Sequence, residues 1–123
     1  MHIDFSPTSH ALEEVSFEDF LKIDMRIGEI IAVEEFPKAR NPSYKVKIDF
    51  GGKIGIKNSS AQITHHYSKE QLLGKSVVAV VNLKPRQIGT YMSEVLIMGF
   101  ADDNNDIVLF DLDESVPKGS RLL

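Results

Sequence analysis

The 123-residue chain has no cysteine and no tryptophan. Without cysteine there is no disulfide, no thiol nucleophile and no thiolate metal site, and the absence fits a reducing cytoplasm. Long apolar runs are missing as well. None approaches the ~18 residues that a membrane span needs. The opening MHIDFSPTSHALEEV has neither a positive n-region nor an apolar h-region, so it does not read as a signal peptide. Catalytic constellations are absent too. No acid–base pair, nucleophile elbow or cofactor loop stands at the required spacing, so the chain reads as a binding protein without a cofactor rather than an enzyme.

What is present fits one domain: 42% of residues are hydrophobic and 26% charged, an ordinary balance for a globular chain. The net charge of −4 argues against nucleic acid, but its distribution does not. Residues 1–35 carry −7, residues 36–94 carry +7 and residues 95–123 carry −4. A basic middle on an acidic body points to a local field that an anion can find.

The elements follow from pattern. Residues 1–16 have no clear period and read as an N-terminal extension. Ser16 caps a short helix from Phe17, with Asp19 in its first turn and Val15 set to staple onto Phe20. Lys22–Phe36 is a long strand whose alternation changes phase near Gly28–Ile30, the mark of a bulge. Tyr44, Val46, Ile48 and Phe50 alternate with Lys45, Lys47 and Asp49 in a second strand. Gly51-Gly52 is a two-residue turn into a third, Lys53–Lys57, with Ile54 and Ile56 inward. Ser59 with Gln62 and Ser68 with Gln71 both have capping-box spacing and predict two helical turns, ended by Gly74. Val77–Leu83 and Glu94–Phe100 are further strands. Asp102–Asp106 is a turn, Ile107–Leu112 a strand, and Val116–Leu123 an extended tail. Three strands, a helix and two strands is the order of an OB-fold. The expectation is therefore an all-β, five-stranded Greek-key barrel with short helices and terminal extensions, the domain running from 17 to 122.

In an OB-fold the loops after strands one and four frame the binding face. Here they are Phe36–Ser43, with Lys38 and Arg40, and Lys84–Ser93, with Lys84 and Arg86. Pro85 marks where pairing stops, and the two cations flank it on backbone held by strands. Lys57, ending strand three, adds a fifth cation to the expected phosphate-binding set. Of the tyrosines, Tyr91 alone lies in a loop suited to stacking a base. The methionines suit core filling or, if exposed in a groove, promiscuous peptide binding. His65-His66 suggests a metal, but adjacent helical side chains point about 100° apart and no carboxylate stands at ligand spacing, so no metal is expected. Asp102–Asp106 lacks the glycine and glutamate of a calcium loop.

Asn82-Leu83-Lys84-Pro85-Arg86, then Gly89 and Ser93-Glu94, resembles the tRNA-binding OB domain. That domain is appended to bacterial methionyl-tRNA synthetases and to eukaryotic synthetase cofactors. Asp24-Met25-Arg26-Ile27-Gly28, Glu35–Arg40 and Ile54–Thr64 together resemble the CsaA family of stand-alone proteins. The resemblance runs from about Phe17 to Leu122. It implies a cytoplasmic homodimer without catalysis, an export-related chaperone that binds unfolded or precursor polypeptides on a tRNA-binding fold. It also adds Asn82 and Ser93 to the nucleic-acid-binding set. Synthetase domains follow that serine with a small residue and methionine, where this chain has Ser93-Glu94-Val95-Leu96. The alternative is a tRNA-binding synthetase cofactor without chaperone activity. Salt separates the two, because phosphate contacts weaken steeply with salt and apolar contacts do not.

Overall fold

The computed structural model describes residues 6–123. The first five residues of the expected extension lie outside the described residues. Residues 10–16 that follow are exposed and without regular structure. Helix α1 (Phe17–Leu21) begins where Ser16 Oγ accepts the Asp19 N–H at 3.1 Å. Val15 is 73% exposed, so it does not close the expected staple; Phe20 instead turns onto the sheet.

The strands are β1 (Met25–Glu35), β2 (Tyr44–Asp49) and β3 (Ile56–Ala61), then, after helix α2 (Lys69–Leu72), β4 (Ser76–Val80). Three pieces follow the basic stretch: β5 (Arg86–Ile88), β6 (Tyr91–Ser93) and β7 (Leu96–Ile97). A last hairpin pairs β8 (Gly99–Ala101) with β9 (Ile107–Leu109). The main sheet has the antiparallel order β3-β2-β1-β4-β7. It curls into a nearly closed five-stranded barrel of the OB type. The register of β1 slips between Ile30 and Ala32, just past the expected bulge. That bend lets Met25–Glu29 pair with β4 while Glu29–Glu35 pair with β2.

Two apolar clusters flank the sheet. Inside the barrel, Ile30, Val46, Ile48, Phe50, Leu72, Val77 and Ala79 form the core. On the outer face, Met25, Val78 and Val80 are covered by Phe20, Met98 and Phe110. β4 therefore sends alternate side chains into two dry clusters, which is why its sequence shows an apolar run without alternation. The C-terminal tail is more than extended. Gly119 donates to Ile27 O at 2.8 Å, Ile27 to Ser120 O at 3.0 Å and Leu122 to Met25 O at 2.8 Å, so the tail runs along β1.

Several expectations need correction. The turn after β2 is not two residues. Gly51, Gly52 and Gly55 all take positive φ, and Phe50 N–H and Gly55 O close the loop at 3.0 Å. β3 consequently starts at Ile56 instead of Lys53, and Ile56 is 55% exposed rather than inward. Ser59 is no helix cap. It is buried in β3, where its hydroxyl donates to Val95 O at 2.8 Å. Only the Ser68–Gln71 capping box forms. β4 stops at Val80, before Leu83, and the strand expected over Glu94–Phe100 is broken between β7 and β8.

Candidate nucleic-acid interface

The basic ledge starts from a fixed point. Where β4 ends, Val81 donates to Asp24 O at 2.8 Å. The Asn82 side chain then clips this strand end to the start of β1. Its Oδ1 accepts the Asp24 N–H at 2.8 Å and its Nδ2 donates to Lys22 O at 2.7 Å. Lys84 and Pro85 follow, and Arg86 opens the β5–β6 hairpin directly opposite Ser93. The expected loop from Lys84 to Ser93 is thus largely a ladder, turned at Gly89 with φ +62. A ladder constrains Arg86 more than a loop would.

The hairpin is pinned to the barrel. Ser93 Oγ accepts the Ser60 N–H at 3.0 Å. Tyr91 donates its hydroxyl to Ser59 O at 3.1 Å, and burial pushes its pKa up to about 12. Its ring meets Phe36 edge-on with centroids 5.4 Å apart. The ammonium of Lys45 lies 5.1 Å from the Phe36 ring and 5.3 Å from the Tyr91 ring. Tyr91 is therefore an anchor between loops, committed to protein contacts on its hydroxyl and ring edge. Phe36 is buried at the root of the other basic loop, which closes through Phe36 N–H to Ser43 O at 3.3 Å. One aromatic contact thus fixes the distance between the two loops.

Between them lies a cleft of about 640 Å³. Arg40, Lys84 and Arg86 line it, with Ser93, Ser60 and the carboxylate of Glu94 also in its lining and Leu83, Ile88 and Leu96 as apolar wall. Lys38 stands exposed on the same loop as Arg40 without lining the cleft. Among the described residues, Lys38, Arg40, Lys84 and Arg86 have no carboxylate within 4 Å. Lys57 differs. It lies outside the cleft, 3.9 Å from Glu94 Oε2. Asn82 also lies outside, engaged in its clip. The cleft's Ser60 and Gln62 escaped the sequence reading because Ser59–Gln62 had the spacing of a helix cap. Alternation offered no remedy there, since five of the six residues from Lys57 to Gln62 are polar.

Residues 25–121 match the family described as "Putative tRNA binding domain". The chain belongs to this tRNA-binding family, in its CsaA branch. The crystal structure of the chaperone CsaA from Bacillus anthracis is 42% identical, with a TM-score of 0.83 over 90% of this chain and 100% of that one. The CsaA chaperone from Picrophilus torridus is 44% identical, with a TM-score of 0.82 over 89% of this chain and all of that one. Methionine–tRNA ligase of Pyrococcus furiosus is 37% identical over 111 residues, 90% of this chain and 15% of the ligase. The chain thus spans about one seventh of such ligases. Both solved CsaA relatives are described as chaperones, not as enzymes. Among the described residues no helix is long and apolar enough to cross a membrane.

Proposed function

We propose that the cleft grips phosphates of structured RNA, tRNA foremost, and that the chain also acts in the cytoplasm as a homodimeric chaperone for unfolded or precursor polypeptides. The binding unit is residues 17–122, with 1–16 an appended segment. The observation that carries the RNA reading is the convergence of Arg40, Lys84 and Arg86 on one cleft, none of them within 4 Å of a carboxylate among the described residues although Glu94 also lines it. Unneutralised cations on fixed backbone are what phosphate recognition requires. Arg86 is the stronger ligand, because a guanidinium grips two phosphate oxygens and stacks on bases. Lys38 extends the basic edge, and Lys57 joins it when Glu94 releases it. Asn82 acts by positioning Lys84 and Pro85, and Ser93 by holding the rung opposite Arg86. The region has few side chains suited to base edges, so shape outweighs sequence.

The polypeptide reading is supported by the CsaA relatives and by the outer apolar cluster. Phe17 and Phe100, 70% and 67% exposed, adjoin Phe20 and Phe110 of that cluster. An isologous contact over this face covers it, and its methionine and phenylalanine rim suits varied apolar segments.

The test is tRNA affinity across a salt series for the wild type and for Lys84→Glu/Arg86→Glu, with circular dichroism to verify folding. Each lost phosphate contact is expected to reduce the salt slope by about one unit, and Arg86→Glu alone to cost more than Lys84→Glu alone. A folded double variant with unchanged affinity and slope removes the ledge from the RNA site. Wild-type protein that ignores tRNA at low salt yet suppresses aggregation of a denatured client leaves only the chaperone reading.

A further inference from the structure

We propose that His65, His66 and Asp106 bind a divalent ion of the zinc type, with Asp102 orienting His66, at a site separate from the basic cleft. The sequence discouraged a metal on two grounds, and the fold removes both. His65 and His66 lie in a turn after β3 instead of on a helix, and their rings meet edge-on with centroids 4.9 Å apart. The missing carboxylates arrive from the β8–β9 turn. His65 Nε2 lies 3.6 Å from Asp106 Oδ2. Two ligands on a tetrahedral zinc, each at about 2.0 Å, sit about 3.3 Å apart, so the pair is close to bridging separation already. The candidate ligand atoms of His65, His66 and Asp106 all fall within 4.8 Å of one another.

Asp102 supplies the orienting contact. Its Oδ1 accepts the N–H groups of Asn104 and Asp106 at 2.9 Å each, which fixes the carboxylate. Its Oδ2 lies 2.6 Å from His66 Nε2. With Nε2 held by Asp102, Nδ1 is the nitrogen left to the ion, the carboxylate–histidine–metal arrangement of many zinc sites. Beneath the site the backbone is tied. Leu109 N–H donates to Tyr67 Oη at 2.9 Å, and Tyr44 Oη donates to Tyr67 O at 2.9 Å. An ion therefore has little chain to order on binding. Three protein ligands with water in the fourth position complete a zinc shell, and imidazole nitrogens select zinc, cobalt or nickel over magnesium and calcium. Bound there, the ion staples the turn after β3 to the β8–β9 hairpin.

The experiment is calorimetric titration of chelator-stripped full-length protein with zinc chloride at neutral pH, with magnesium chloride as comparison. One zinc per chain is expected, bound at least tenfold more weakly by His65→Ala, by Asp106→Ala and by Asp102→Ala. Zinc should raise the thermal midpoint of the wild type by several degrees and leave that of Asp106→Ala unmoved. His2→Ala/His10→Ala removes the other two histidines and should bind as the wild type does. Absence of zinc binding, binding that survives both His65→Ala and Asp106→Ala in folded protein, or binding lost with His2 and His10, overturns the site.

Discussion

Gly28 shows how narrowly single residues set this barrel. A Cβ there would lie 2.6 Å from Ile48 Cγ2 and 2.8 Å from carbons of the Phe50 ring. Both neighbours are fully buried, so neither can swing into solvent. Gly28→Ala is therefore expected to lower unfolding free energy by about 1–3 kcal/mol, as overpacking does. Urea denaturation reads this as a lower midpoint at an unchanged slope; an unchanged midpoint would show that the two side chains yield freely. The sequence placed this glycine in a strand beside a bulge, but nothing in it showed that Ile48 and Phe50 pack against its bare Cα. Tyr91 illustrates the same limit in a different way. Its loop position made it a stacking candidate, whereas a hydroxyl bonded to Ser59 O and a ring against Phe36 make it part of the scaffold.

At the scale of elements, pattern was legible wherever one face met water and the other the core. β2 alternates cleanly, and its extent came out to within a residue. β3 was misplaced because its interior is polar. Ser59 is buried but satisfied by Val95 O, so burial there leaves no apolar signature. The carboxylates of Asp102 and Asp106 were invisible for a related reason, being brought beside His66 and His65 by hairpin pairing rather than by spacing. The tail's docking on β1 was equally hidden, and an ion pair now explains part of it. Lys118 Nζ lies 3.0 Å from Asp49 Oδ2 and 3.2 Å from Glu29 Oε1, joining tail, β2 and β1. The Gly51 N–H and then Lys118 hold the Asp49 pKa below its ordinary value, and Asp49 chiefly holds that of Lys118 above its own. A depressed carboxylate contributes stability above its unfolded value near 4, lost as pH falls through the lower native value. A raised lysine contributes below about 10.4, lost as pH rises through the higher native value. Lys118→Met should accordingly be less stable than the wild type at neutral pH, the gap closing as pH falls through the lowered native value of Asp49. Urea midpoints measured from pH 2 to pH 8 check this, and a gap that persists at the acid end would exclude Asp49 as its source.

For the whole molecule, the charge blocks of the sequence become places. The basic middle supplies the cleft cations, while the acidic end supplies the β8–β9 turn. The outer apolar cluster lies on a different surface from the cleft, so covering one need not close the other. The proposed homodimer is expected to sediment as a two-chain species at micromolar concentration, and Phe17→Ser/Phe100→Ser to shift it toward monomer. Equilibrium sedimentation giving only monomer for the unmutated protein would remove the dimer.

The docking of the tail also sets an order of events during synthesis. β1 leaves the ribosome before every other strand of the barrel, yet its residues Met25–Ile27 take neighbours from Val78–Val80 on one side and from Gly119–Leu122 on the other. Its second half meets β2 within about twenty residues of chain, a short loop to close. A nascent chain can thus assemble the β1–β2–β3 meander early, while the first half of the same strand waits with open hydrogen-bonding groups on both edges. One strand is local at one end and among the most distant pairings at the other, so the barrel closes last at the strand that emerged first.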